Sequence, residues 1–273
     1  MVLRRFFAVT AAVLAASTLL TAPAEARSHG GYLALGDSVA FGYRPDADAD
    51  YLDAANFRGY AEKYAAARGL KLANASCPGE TTGSMLDVAA PSNGCENAYR
   101  LAFPLHVAYP GSQIGYAVQY LKTHRDTRLV TLTVGANDLF RCRDTTPDHC
   151  TGATFDAALK QVGANLATIL GAVRAQYRGE LVLVSYYSLD YRDPAQVAQV
   201  KAINATLAQV TRHHRGTVAD GFTAFRLASL RAGGDPCAAG LLVKLPSGGC
   251  DVHPSAAGHR ALAAALAVAV AFR

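Results

Sequence analysis

The sequence predicts an α/β fold: a mostly parallel sheet with helices on both faces. Two observations carry this. Short apolar runs that read as buried strands alternate along the chain with longer stretches of helical periodicity. Several of those runs stop in polar or glycine-containing clusters, such as Gly36-Asp37-Ser38 and Gly135-Ala136-Asn137-Asp138. Open α/β sheets place their ligands at such carboxyl-terminal strand ends.

The first strand is Tyr32-Leu33-Ala34-Leu35, ending at Gly36-Asp37-Ser38. Gly36 permits a tight turn or the close approach of another backbone. A helical turn after Ser38 would set its hydroxyl near free N–H groups and a positive dipole end, which suits a nucleophile with an anionic intermediate. Gly-Asp-Ser is also an ordinary turn tripeptide, so on this stretch alone both readings stand. Residues 44–55 form a polar loop. Its Asp46-Ala47-Asp48-Ala49-Asp50 resembles the start of a calcium loop but lacks the glycine and the closing glutamate, and a solvated loop is the better reading. Residues 57–68 have helical periodicity, with Tyr60, Tyr64 and Ala67 on one side and Gly69 as the stop. A second strand, 70–75, runs into the loop Ser76-Cys77-Pro78-Gly79-Glu80-Thr81-Thr82-Gly83.

Residues 84–110 are irregular. Their Leu101, Phe103, Leu105, Val107 and Tyr109 read as core, with the wall of an apolar cleft as the alternative. Ser112 is placed to cap a helix carrying Ile114, Val118 and Leu121. Residues 128–134, β-branched and nearly all apolar, form the clearest strand. A long amphipathic helix follows at 154–177, then a buried strand at 181–187. Asp193-Pro194 opens a helix to about His214, and Val218-Ala219 reads as a short last strand. Residues 237–250 form a loop, and 251–259 lead into an alanine-rich terminal helix. The sum is a three-layer α/β/α sandwich around a flavodoxin-like sheet of about five strands.

Residues 1–26 have the pattern of a secretory signal peptide. Arg4 and Arg5 precede an apolar core from Phe6 to Leu20, and Ala24-Glu25-Ala26 is a cleavage site. A secreted protein beginning at Arg27 is expected, with 27–273 as one domain. The apolar core is short for a membrane anchor. The formal net charge of +5 is scattered, without a basic stripe, so nucleic acid is not an expected partner. The 6 cysteines lie in the mature chain, and an even count in an exported protein implies disulfides. Fifteen pairings are possible; neighbours, Cys77–Cys95, Cys142–Cys150 and Cys237–Cys250, are expected because each pair brackets one loop region. Metal binding is the alternative, but no C-x-x-C or H-x₃-H spacing supports it.

Four loops would converge on one edge of the sheet and offer a serine, a glycine N–H, an asparagine amide and a histidine. Acyl transfer needs this set: a hydroxyl with a base, and donors fixed in advance for the oxyanion. Here the chain resembles the GDSL lipases and esterases, or SGNH hydrolases, over nearly all of its mature length. Gly36-Asp37-Ser38 matches the first block, Ser76 to Thr81 the second, Gly135-Ala136-Asn137-Asp138 the third, and Asp251-Val252-His253-Pro254 resembles the last. The resemblance implies Ser38 as nucleophile and His253 as general base. It implies an oxyanion hole from the Ser38 and Gly79 N–H groups and the Asn137 amide. No metal or organic cofactor is implied, and activity should rise with pH as His253 deprotonates. The chain lacks the G-x-S-x-G elbow of ordinary α/β-hydrolases.

One departure stands out. The family's acid lies three residues before the histidine, where this chain has Cys250; the aspartate is Asp251, two before. Asp251 could reach the imidazole, a backbone carbonyl could orient it, or an acid from elsewhere could do so. His259 suits packing or surface, His213 and His214 suit a helix end, and Asp37 and Asp138 suit loop support. The expected function is a monomeric carboxylic-ester hydrolase acting on small-molecule or lipid esters. The alternatives are a carbohydrate O-acetyl esterase and a catalytically silent binding protein of the same fold.

Overall fold

The computed structural model describes residues 30–271; the expected signal peptide lies outside them. The chain runs β1 (Gly31–Gly36), α1 (Ser38–Phe41), α2 (Tyr60–Arg68), β2 (Lys71–Asn74), α3 (Thr82–Leu86), α4 (Arg100–Ala102), α5 (Gln113–Thr123), β3 (Thr127–Thr133), α6 (Ala136–Thr145) and α7 (Gly152–Gln176). It continues with β4 (Glu180–Val184), α8 (Pro194–His213), β5 (Thr217–Ala219), α9 (Gly221–Ser229), β6 (Leu242–Lys244), β7 (Cys250–Pro254) and α10 (Ala256–Ala271).

Five strands form one parallel sheet in the order β2-β1-β3-β4-β5. Parallel strands need long crossovers, and helices supply them. Helices α5, α7 and α8 pack together on one face, while α2, α9 and α10 pack together on the other. The middle of the sheet is therefore dry on both sides: Leu33, Val130 and Leu181 are buried on one face, and Ala34, Thr131 and Val182 on the other. The strand order reverses direction at β1, between β2 and β3. That is the switch point where open sheets leave a crevice at their carboxyl ends.

Some boundaries differ from the sequence expectation. Helix α2 starts at Tyr60, because the Glu62 carboxylate accepts the Gly59 N–H at 2.7 Å and closes the first turn. Its buried stripe is Tyr60, Ala61, Tyr64 and Ala65, and Ala67 is exposed in the last turn. Strand β4 stops at Val184 rather than 187. Tyr186 leaves the ladder and pairs instead with the Asn204 amide, donating to Oδ1 at 2.9 Å and accepting from Nδ2 at 2.8 Å. The stretch expected as a loop up to 250 closes into an antiparallel hairpin, β6–β7, so His253 sits on a strand. Helices α3, α6 and α9 were not expected; α6 (ANDLFRCRDT) is mostly polar, and its apolar residues are too few to make a long stripe.

Residues 84–110 divide between both readings. Tyr109 is buried in the core, Leu101 is 78% exposed, and Phe103 joins an aromatic cluster with Phe41, Tyr43, Tyr51, Phe57 and Tyr99.

Gly36 marks the tightest backbone contact. Its φ is +133°, and a Cβ would lie 2.1 Å from the Thr133 carbonyl oxygen. Gly36→Ala is expected to cost roughly 2–4 kcal/mol, through strain and forced separation of β1 from β3. Urea denaturation checks this, and a loss below about 1 kcal/mol would contradict it.

Candidate active site

The site begins where β1 ends. The Asp37 N–H donates to the Thr133 carbonyl at 2.9 Å, holding the turn to the end of β3. The Asp37 side chain accepts the Val39 N–H at 2.9 Å and caps α1. Ser38 is therefore the first helical residue, and Gly42 ends the turn in the left-handed region. The Ser38 N–H engages no hydrogen bond among the described residues, as expected of a first-turn donor.

His253 reaches this serine from β7, with Nε2 2.8 Å from Ser38 Oγ. Its Nδ1 hydrogen-bonds Asp251 Oδ1, which also accepts the His253 backbone N–H at 3.0 Å. The hairpin shows how a spacing of two brings the pair together. Residues 251–253 stand opposite Val243 alone, an irregularity in the register. Within it the Asp251 carboxylate folds onto both the backbone N–H and the imidazole of the residue two further on. Cys250, at the position where the acid was expected by resemblance, is bonded to Cys237 and ties the foot of β7 to the preceding loop. The Tyr187 hydroxyl holds the other side, donating to the Val252 carbonyl at 2.7 Å. Partial burial acts to raise the Asp251 carboxyl, but the hydrogen bond and charge of His253 outweigh it. Asp251 is held below the usual aspartate range.

Gly79 lies in the loop after β2 at φ +84°, where a Cβ would stand 2.4 Å from the Asn93 carbonyl oxygen. Its N–H also engages no hydrogen bond among the described residues. Asn137, in the first turn of α6, donates from Nδ2 to the Glu80 carbonyl at 3.0 Å and accepts at Oδ1 from Asn93 Nδ2 at 2.9 Å. An amide has a second N–H, so one donor remains. Asp138 accepts the Thr82 N–H at 2.9 Å and the Thr82 hydroxyl at 2.6 Å, tying α6 to α3. Burial pushes its carboxyl up.

Ser38, Gly79, Asn137 and His253 line one cavity of about 790 Å³. One wall carries Leu139 and Phe140 from α6 with Val200 and Ile203 from α8; another carries Tyr43, Tyr99 and Phe103. The Tyr43 ring meets the His253 imidazole edge-on at 4.8 Å. Outside this cavity, His259 is buried in α10 and pushed down to about 3 by burial. His213 and His214 end α8. The disulfides are Cys77–Cys95, Cys142–Cys150 and Cys237–Cys250. Among the described residues the one cluster with metal-ligand geometry is Cys77, Glu80 and Cys95, and both of its sulfurs are spent in a disulfide.

Sequence reasoning passed over Tyr186, Tyr187 and Asn93. Tyr186 donates to Asp37 Oδ2 at 2.5 Å and accepts the Ala136 N–H at 3.2 Å, joining the first and third blocks. The available signal was position: both tyrosines directly follow a strand, on the edge where the other blocks gather. Asp37 is fully buried, and burial pushes its carboxyl up to about 6, against the pull of the Tyr186 and Val39 bonds.

This has a stability consequence. Above its ordinary value of 3.8 and up to about 6, folded Asp37 keeps a proton that the unfolded chain has lost, so its contribution falls as pH rises through that window. Asp37→Asn keeps the capping oxygen and removes the titration. Wild type is expected to lose on the order of 2–3 kcal/mol relative to this variant between about pH 4 and pH 7, measured by urea denaturation. Parallel stability curves would contradict it.

Known structures resemble this fold at low sequence identity. Phospholipase A1 from Streptomyces albidoflavus NA297 matches at 19% identity and TM-score 0.60, covering 89% of this chain and 100% of that one. The lipase Lip_vut3 from a goat rumen metagenome matches at 16% and 0.57, over 88% and 97% of the two chains. The acetylxylan esterase Axe2 from Geobacillus stearothermophilus matches at 16% and 0.53, over 89% and 95%. No curated protein sequence matches the chain. The model of the GDSL-like lipase/acylhydrolase family matches residues 34–261, and on that extent the chain belongs to this family.

Proposed function

We propose that this protein is a serine carboxylic-ester hydrolase that works through an acyl-enzyme. The observation that carries the proposal is the hydrogen-bonded line Ser38–His253–Asp251 opening onto an apolar cavity. His253 Nε2 takes the Ser38 proton as Oγ attacks the ester carbonyl. Asp251 holds the imidazole with Nε2 facing the serine and stabilises its cationic form. The Ser38 and Gly79 N–H groups and the Asn137 amide receive the oxyanion, each such donor commonly worth about 10²–10³ in rate. His253 then passes its proton to the leaving alcohol, and water repeats the cycle on the acyl-enzyme. None of these steps calls on a metal or an organic cofactor.

The cavity favours acyl chains over a bare acetyl group. Leu139, Phe140, Val200 and Ile203 offer an apolar wall longer than an acetyl group can use. The family and the structural neighbours support an ester substrate without naming it. Three disulfides support export, and no helix among the described residues is long and apolar enough to cross a membrane.

Hydrolysis of p-nitrophenyl esters from acetate to palmitate tests the proposal, with Ser38→Ala and His253→Ala beside the native chain. Both variants are expected to lose at least about 10³-fold in kcat. Native kcat/KM should rise from acetate toward longer chains. A maximum at acetate would favour the O-acetyl esterase reading, and unchanged hydrolysis by Ser38→Ala would overturn the serine mechanism.

A further inference from the structure

Behind the cavity, two fully buried side chains join the loop of Ser38 to the loop of Gly79. Gln113 is the first residue of α5. Its Oε1 accepts the Gly36 N–H at 2.6 Å, and its Nε2 donates to the Gly36 carbonyl at 3.0 Å. One amide thus occupies both backbone groups of the last β1 residue, two before Ser38. The same Nε2 donates to Glu80 Oε2 at 2.8 Å. The other Glu80 oxygen is hydrogen-bonded to Ser84 Oγ. Glu80 directly follows Gly79, and its carbonyl is the acceptor that holds the Asn137 amide.

A carboxyl is a costly group to bury, and this one is in no ion pair among the described residues. The nearby Arg100 is committed to Glu96, at 2.8 and 2.9 Å, and to the Tyr109 carbonyl. Packing alone does not call for an acid here. What distinguishes Glu80 is its place: it is bonded, directly or through one residue, to the segments that carry all three proposed oxyanion donors.

We propose that the Glu80–Gln113 pair is the positioning clamp of the oxyanion hole, fixing the Gly79 loop against the Ser38 loop so that three donors meet at one oxygen. This rests on the serine-hydrolase reading above. Neither residue is asked to touch substrate; Glu80 acts through Gly79 and Asn137, and Gln113 through Gly36.

The clamp works with a protonated acid. Burial pushes the Glu80 carboxyl up to about 8; the Ser84 and Gln113 bonds and Arg100 pull it down, and Glu96 pushes it up. Tyr109, which also faces it, is pushed far above its own usual range by burial. A carboxylate formed at Glu80 would sit one residue from an oxyanion donor and repel the charge that develops there. Glutamine has the same shape and stays neutral, so Glu80→Gln should serve as Glu80 does and should go on serving in alkali.

The test is kcat and KM on p-nitrophenyl butyrate for the full mature chain and for Glu80→Ala, Glu80→Gln and Ser38→Ala. Glu80→Ala is expected to lose about 10–100-fold in kcat with KM within about twofold, the mark of donors displaced by a fraction of an ångström. Glu80→Gln should stay within about threefold of wild type near pH 7 and exceed it at about pH 9, where the wild-type carboxyl is ionised. Wild-type kcat in Glu80→Ala, failure of Glu80→Gln to restore what alanine loses, or superimposable alkaline limbs would each overturn the clamp. If Glu80→Ala does not fold, the pH comparison with the isosteric Glu80→Gln decides alone. Activity surviving in Ser38→Ala overturns the underlying reading instead, and is recognised because Glu80 is untouched in that variant.

Discussion

The site depends on the bonds that Asp251 makes to His253 in a short, irregular hairpin strand. Residues 251–253 stand opposite Val243 alone, and there one carboxylate oxygen binds both the His253 N–H and its imidazole, so the ring is held between a carboxylate and Ser38. The hairpin pairing, the Cys237–Cys250 disulfide and the Tyr187 bond to the Val252 carbonyl all act to keep this segment a strand. A cysteine stands where the resemblance placed the acid. Its bond to Cys237 instead anchors the backbone from which Asp251 reaches His253.

The other groups of the site are held by hydrogen bonds that fix the backbone carrying them. Gly36 lets β1 press against Thr133, and Asp37 caps the turn that begins with Ser38. Tyr186 ties that cap to the start of α6, where Asn137 lies. Thr82 and Asp138 lock α6 to α3. The bonds are made inside the structure, on groups that are nearly all buried, where an unmade bond costs more than a made one gains. A cleft built so has little slack, which is what preorganised donors require. It also explains why acids such as Asp37 and Glu80 are buried beside the site: each binds backbone or amide groups that no apolar residue could hold.

How much of this was legible follows from what each feature rests on. The five strands and the long helices are written in apolar periodicity, and alternation forces a parallel sheet. That Ser38, Gly79, Asn137 and His253 converge on one cavity was legible because each sits in a short block beside a strand or helix boundary. The geometry of Asp251 was not, because it turns on whether residues 250–254 are strand or loop. That is decided by pairing with Leu242–Lys244, a contact no local pattern records. Tyr186 and Tyr187 were absorbed into a strand that looked three residues longer, since tyrosine favours strands. Helix α6 hid because its exposed side is charged and its buried side is short. For Phe103 the sequence offered both core and cleft wall, and only the fold, which sets it in the cavity lining, separates the two.

The most direct measurement is the rate of Ser38 modification by a fluorophosphonate, followed by intact mass and peptide mapping, in the native chain and in Asp251→Asn. One adduct, on Ser38, is expected, forming at least about 10²-fold more slowly in the variant, because the strand-held carboxylate orients the base. No adduct, an adduct on another residue, or equal rates in the two proteins would contradict a serine activated through His253 and Asp251.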